Sequence, residues 1–378
     1  MTRLFAILLI VHGLIHLLGF AKALRVAELP QLTQPISLLF GVLWLAASLL
    51  FLATALTLFA RPRWWWALGV ISVCVSMLAI SQSWTDARPG AFANIVIFVG
   101  VIFGFLVQGP FSLRAAYERD VEEGLARSAA TAPISEADLA GLPPPVQRYL
   151  RKAGVVGQAR VPHVRARMHG RIRSGPDSRW MPFSAEQDNF FDGEPARLFY
   201  MTASMFGIPF QGFHRYVGQS ASMLVKVAGI APVVNASGAD MTKAETVTLL
   251  NDMCIMAPAT LIDSRIAWEP VDDRTVRATF TNAGHSVRAE LEFDDAGALT
   301  NFWSDDRRKF SADGRSMTPA RWSTPVGGYR AFGPFRLASH GEARWREAGT
   351  DYAYIQLDLD EITYGPAPSS SAELPDTS

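Results

Sequence analysis

The chain has 378 residues, 49% of them hydrophobic, and its 35 basic and 35 acidic residues cancel to no net charge. That balance leaves no basic footprint for nucleic acid, so no nucleic-acid partner is expected. The two cysteines, Cys74 and Cys254, stand far apart with no CxxC or Cys/His spacing, which excludes a disulfide framework and a zinc finger.

Residues 1–111 hold four runs free of Asp, Glu, Lys and Arg: Leu4–Ala21, Ile36–Ala60, Trp65–Ser81 and Phe92–Gln108. A helix crosses the hydrocarbon core of a bilayer with about 20 apolar residues. These runs therefore predict a membrane all-α four-helix bundle. The first run lacks a small-residue cleavage site before Lys22–Arg25, so it reads as a retained helix and not a signal peptide. Trp64, Trp65, Trp66 and Trp84 bracket the third run, where indoles favour the headgroup region. Gly100 and Gly104 form a GxxxG in the fourth run, whose expected use is close packing inside the bundle.

An even number of crossings puts both termini on one side. Arg3, Arg61, Arg63, Arg114 and Arg119 fall there, against Lys22, Arg25 and Arg88 opposite. The positive-inside rule then places the remainder of the chain in the cytoplasm. His12 and His16 lie four residues apart and share a helix face. Two such imidazoles are candidates to hold a metal or haem iron. The segment HGLIH lacks a zincin's glutamate and no third ligand is evident. Neutral histidines hydrogen-bonded across the bundle are the competing reading, and no cofactor is assigned.

Residues 112–142 read as a juxtamembrane helix and linker. Leu113–Arg127 alternates charged and apolar residues, and Ser128–Leu142 is an Ala/Ser/Pro spacer in which Ser135 and Asp138 form a capping-box pattern. Prolines open Pro144–Ala153, an amphipathic helix with Gly154 as its stop.

Residues 143–365 predict a mainly antiparallel β domain. Val164, Ala166, Met168, Gly170 and Ile172 alternate with Arg165, Arg167, His169, Arg171 and Arg173. The same period recurs from Val287 to Phe293 and from Ile355 to Asp360, with the turn clusters SGPDS, DGEPA, DDRT, DDAGA and SADGR between strands. Asp240–Met256 has helical spacing, with Asp240 as N-cap and Pro258 as stop, and is expected to cover the apolar face of the sheet. Residues 366–378 are expected to be a disordered tail.

The stretch Leu198–Phe213 carries more large apolar groups than a half-buried strand requires. Met201, Met205, Phe206, Phe210, Phe213 and His214, with Met253, form the candidate ligand-binding set. Simple core filling is the competing reading. No GxSxG, P-loop, GxGxxG or HExxH occurs, so no catalytic residue is assigned. His169 reads as solvated and His285 as a hairpin residue. The run Asp305–Arg308 reads as an exposed turn or edge.

The phrases LPPPVQRYLRKAG (Leu142–Gly154), WMPFSAEQ (Trp180–Gln187), GIAPVVNASGADM (Gly229–Met241) and WEPVDDRTVRATF (Trp268–Phe280) resemble an uncharacterised bacterial family of domain-of-unknown-function proteins. VHGLIHLLGFAKA (Val11–Ala23) resembles the membrane segment attached to some members. The resemblance implies a bacterial inner-membrane protein and carries over no catalytic residue. More loosely, strands arranged around a helix are similar to the LolA/LolB lipoprotein-carrier fold. That fold is an incomplete barrel whose concave face holds acyl chains under a covering helix. Those carriers are periplasmic, whereas the charge count here points inward.

Three functions are therefore expected in competition. The first is a membrane-tethered module binding a lipid or other apolar ligand in a curved sheet. The second is an enzyme on a membrane-associated substrate, with His214 or a carboxylate beside the pocket. The third is a haem or metal membrane protein using His12 and His16. A purely structural role is a fourth.

Overall fold

The computed structural model describes residues 2–26, 29–60, 62–127, 132–310, 316–347 and 349–365. Arg61, the SADGR turn and the 366–378 tail lie outside them. The chain divides into two compact units, Met1–Ala116 and Tyr117–Ser378.

The first unit contains α1 (Thr2–Ala23), α2 (Leu38–Ala60), α3 (Trp65–Gln82) and α4 (Trp84–Gln108), all long and apolar enough to cross a membrane. Helix α4 begins at Trp84, well before the apolar run at Phe92. Asp86 favours the helix N-terminus electrostatically. It also accepts hydrogen bonds from Thr33 N (2.6 Å) and Gln34 N (3.0 Å), so the charge is satisfied, and Pro89 lies inside the helix. Gly100 and Gly104 do pack inside the bundle. A Cβ at Gly100 would lie 2.4 Å from the Phe5 ring, and one at Gly104 would lie 2.2 Å from the Trp65 ring. Trp64 and Trp84 are exposed, but Trp65 is buried and donates to Gln108 Oε1 at 2.9 Å, so this indole is a packing residue.

His12 and His16 are buried and belong to one hydrogen-bonded circuit. His12 Nε2 donates to Asn94 Oδ1 (3.0 Å) and Asn94 Nδ2 to Ser76 Oγ (2.9 Å). Ser76 Oγ donates to His16 Nε2 (2.8 Å), whose Nδ1 donates to the His12 carbonyl (2.9 Å). The carbonyl fixes the His16 tautomer, and every partner is then matched with both rings neutral.

The second unit begins within α5 (Leu113–Arg127), followed by α6 (Glu136–Leu139) and α7 (Pro144–Ala153). The capping box forms as its spacing predicts, with Ser135 N donating to Asp138 Oδ2 at 2.8 Å. Gly154 ends α7 at φ 80°, the left-handed conformation that glycine adopts without a Cβ clash.

Strands β1 (His163–Ile172), β2 (Met181–Phe190), β3 (Ala196–Met205), β4 (Ile208–Val217), β5 (Ser220–Val227) and β6 (Ala231–Ser237) form an antiparallel meander. Helix α8 (Ala239–Ile255) and a 3-10 turn at Pro258–Ile262 then lead to β7 (Ile266–Pro270), β8 (Thr275–Asn282), β9 (His285–Phe293) and β10 (Leu299–Ser304). Short strands follow: β11 (Arg308–Phe310), β12 (Met317–Pro319), β13 (Arg321–Ser323), β14 (Val326–Gly327), β15 (Arg330–Phe332) and β16 (Phe335–Leu337). The chain returns through β17 (His340–Glu347) and β18 (Thr350–Tyr364). The main sheet has 14 strands in the order β6-β5-β4-β3-β2-β1-β18-β17-β13-β10-β9-β8-β7, with β14 also on β17.

Helix α8 joins the two edge strands of this sheet. It packs against β5 and β6 near one edge and β9 and β10 toward the other, so the sheet curls around it. The result is an incomplete barrel with a helix inside. Enclosure explains why α8 is buried on nearly all sides, polar residues included. The helix starts after Gly238, not at the expected Asp240 cap; Gly238 sits at φ 98°. On the outer face, α5 docks through Tyr117 against Asp188 and through Asp120 against Arg215 (2.7 Å).

Candidate functional site

Strand alternation decides which side chains turn inward. On β1 the even-numbered residues face α8, and the arginines face outward, as the period predicts. On β2 the inward set includes Phe183 and Gln187, and on β3 it includes Arg197, Phe199 and Met201. Between these strands, β17, β18 and α8 lies a cavity of about 480 Å³. Its size falls in the usual range for small-molecule sites. Most of its wall is apolar, from Met168, Met223, Val225, Met256, Ile355 and Leu357 among others.

One part of the wall is ionic. Glu245 and Asp252 stand two turns apart on α8, hence on one helix face. Arg197 bridges them, with Nη1 2.9 Å from Glu245 Oε2 and Nε 2.6 Å from Asp252 Oδ2. Gln187 Nε2 and Asn189 Nδ2 also donate to Asp252 Oδ2, at 2.6 and 3.1 Å. His214 Nδ1 lies 3.5 Å from Glu245 Oε1 and Arg307 Nη1 lies 3.7 Å from it. Burial alone would raise the Glu245 carboxyl, but Arg197, His214 and Arg307 outweigh it and hold Glu245 well below the usual carboxylate range. Asp252, on the same arginine, moves the other way, because burial outweighs Arg197 there and raises its carboxyl. Arg307 lies over the Trp322 ring at 5.1 Å.

The candidate set read from the sequence divides. Met201 and His214 line the cavity. Phe213 neighbours His214 on β4 and so points to the opposite face, where it meets Tyr117 at 5.9 Å. Met205 and Phe206 are exposed at the β3–β4 hairpin tip; Phe206 (φ 53°) and Gly207 (φ 79°) make a two-residue turn. Phe210 is partly buried near the same tip, and Met253 is buried on another side of α8; neither lines the cavity. Arg307 is a correction: it is not part of an exposed charge run, because its side chain is turned into the cavity and only 12% exposed. Sequence reading missed Arg197, Glu245 and Asp252. The available signal was two carboxylates, Glu245 and Asp252, seven residues apart in the helix expected to lie against the sheet.

Other histidines lie elsewhere. His169 is exposed beside Asp360 (2.8 Å), and His285 follows the Ala283–Gly284 turn, both as expected. Among the described residues no group of three His, Cys, Asp or Glu side chains is placed to hold a metal ion. His12 Nε2 and both ring nitrogens of His16 are engaged in the circuit described above.

The DUF6544 family, a family of unknown function, matches residues 132–357, and the chain belongs to it. No curated protein matches the chain. Among solved structures, it is similar to a domain described as an outer membrane lipoprotein-sorting protein from Vibrio parahaemolyticus, with 8% identity and TM-score 0.30 over 56% of this chain and 87% of that one. A DUF1329 family protein from Desulfovibrio piger gives 10% identity and TM-score 0.31 over 54% and 86%. A LolA superfamily protein from Nitrosomonas europaea gives 9% and 0.28 over 59% and 94%.

Proposed function

We propose that this DUF6544 member is a membrane-anchored module that holds a lipid or other chain-like apolar ligand inside its curled sheet. The observation that carries this reading is the cavity of about 480 Å³ between α8 and the concave face, walled mainly by Met, Val, Ile and Leu side chains. Cores normally pack to crystal density. Unfilled apolar space of this size therefore supports an apolar guest. In this reading the four apolar helices span the inner membrane and keep the binding unit at the bilayer, where such guests are concentrated. By the loop charge count the binding unit faces the cytoplasm, which a reporter fused to the C-terminus tests.

The ligand test uses the full chain in cells. Cells are fed a fatty acid bearing a diazirine and irradiated, and the cross-linked peptides are mapped by mass spectrometry. Cross-links are expected on peptides containing Met201, Met223 and Ile355. Cross-links confined to α1–α4 overturn the reading.

A second reading, an enzyme on a membrane-associated substrate, is supported by His214 standing 3.5 Å from the Glu245 carboxyl group at the cavity wall. A carboxylate beside an imidazole orients the ring of a general base. Cell lipid incubated with the full chain then yields a mass-shifted species that the His214→Ala protein does not produce. Identical lipid profiles exclude this reading.

A further inference from the structure

Two polar atoms of the cavity's lining residues have no hydrogen-bond partner among the described residues: Glu245 Oε1, an acceptor, and Arg307 Nε, a donor. Glu245 is 1% exposed and its other oxygen is occupied by Arg197. The two nearest nitrogens, His214 Nδ1 and Arg307 Nη1, stand 3.5 and 3.7 Å from Oε1 without hydrogen-bond geometry. Buried polar atoms are normally paired, and an exception calls for something that completes it. Here an unpaired donor and an unpaired acceptor belong to side chains that face each other. A ligand group that both donates and accepts satisfies both.

The charged groups around them stand in opposed pairs, and Arg173 is spent on the Ala353 and Pro176 carbonyls. Arg197 and Arg307 stand against Glu245 and Asp252. Farther along the wall, Arg308 pairs with Asp240 (3.3 Å), His340 with Asp358 (2.8 Å), and Lys309 with Glu347. A phosphate or carboxylate head would meet the free Glu245 oxygen, and an ammonium head would meet the free Arg307 donor. Burying either without a counter-charge is unfavourable.

We propose that this wall recognises the uncharged polar head of an amphiphile, a hydroxyl or primary carboxamide, which donates to Glu245 Oε1 and accepts from Arg307 Nε while the chain fills the apolar remainder. The inference rests on the preceding reading that the cavity takes an apolar ligand.

The test compares four probes with one diazirine-bearing chain and different heads: hydroxyl, carboxamide, phosphate and trimethylammonium. Each is cross-linked to the full chain in phosphatidylcholine nanodiscs, and labelling of cavity peptides is quantified. The hydroxyl and carboxamide probes are expected to label at least about tenfold more than the charged probes, since a site built on hydrogen bonds rejects heads that leave it unpaired. Arg307→Met is expected to bring that ratio below about threefold. The comparison on the natural chain stands even if that variant unfolds. Equal labelling by all heads, or preference for phosphate, overturns this inference and leaves the cavity reading intact. Labelling of cavity peptides by none of the four overturns both.

Discussion

Tyr117 Oη donates to Asp188 Oδ2 at 2.5 Å, and this buried contact ties helix α5 to the outer face of the sheet at β2. Asp188 also takes His163 Nε2 at 2.7 Å and Arg165 Nε at 3.0 Å on its other oxygen. Gln187 and Asn189, its chain neighbours, point the other way, to Asp252 and the cavity side. One strand therefore anchors the docking helix with alternate residues and builds the site with the rest.

An amide in place of the Asp188 carboxylate removes the charge that faces Arg165 and turns one of the two accepting oxygens into a donor. Asp188→Asn is expected to destabilise the second unit by about 3 kcal/mol, and Tyr117→Phe by about 1 to 2 kcal/mol. Urea unfolding of the full chain, followed by tryptophan fluorescence, checks the order. Equal effects would show that the phenol, and not the charge cluster, dominates.

The same site has a pH signature. Burial pushes the Asp188 carboxyl up, but the hydrogen bonds from His163 and Tyr117 and the Arg165 charge outweigh it and hold it below its ordinary value. A carboxylate depressed in the folded state contributes stability above its unfolded pKa of about 3.9 and loses it as pH falls through the folded value. The stability gap between the natural chain and Asp188→Asn is expected to be flat above about pH 5 and to shrink below about pH 4. A gap that narrows near pH 7 contradicts the assignment.

Arg197 holds two buried carboxylates with two different nitrogens, a geometry that a single ammonium does not reproduce. Arg197→Met leaves Glu245 and Asp252 facing each other without it and is expected to cost about 3 to 5 kcal/mol. Arg197→Lys is expected to recover less than half of that loss. Full recovery by lysine would mean that charge alone matters.

Cavity space distinguishes two substitutions that add bulk. Met201→Trp places the larger ring toward open space and is expected to cost less than about 1 kcal/mol, against the 1 to 3 typical of overpacking a filled core. It is also expected to reduce cross-linking of the apolar probes. Gly170→Ala is the opposite case, because its Cβ would lie 2.0 Å from the Gln356 carbonyl oxygen on the paired strand. That change is expected to cost at least about 2 kcal/mol, which thermal unfolding of both variants reads directly.

Features with a local cause were legible without coordinates. The four apolar runs, the capping box at Ser135, the Gly154 stop and the alternation on β1 and β18 each depend on residues within a few positions of one another. The density of large apolar groups in Leu198–Phe213 also marked Met201 and His214 as candidates beside a pocket. It did not separate them from Phe213, because hydrophobicity does not say which side of a sheet is the inside. Nor did it foresee Met205 and Phe206 at a turn, since Phe206 takes a left-handed backbone that branched and bulky residues rarely adopt.

The sequence by itself determined the division into a helical, bilayer-length region and an antiparallel β region, because periodicity is written in neighbouring residues. Tertiary structure alone decided the site. Arg197, Glu245 and Arg307 are separated by 48 and 62 positions along the chain, and only the curling of the sheet around α8 brings them together. A helix enclosed on all sides shows no polar face in its sequence, so its carboxylates disclosed their partners only in three dimensions.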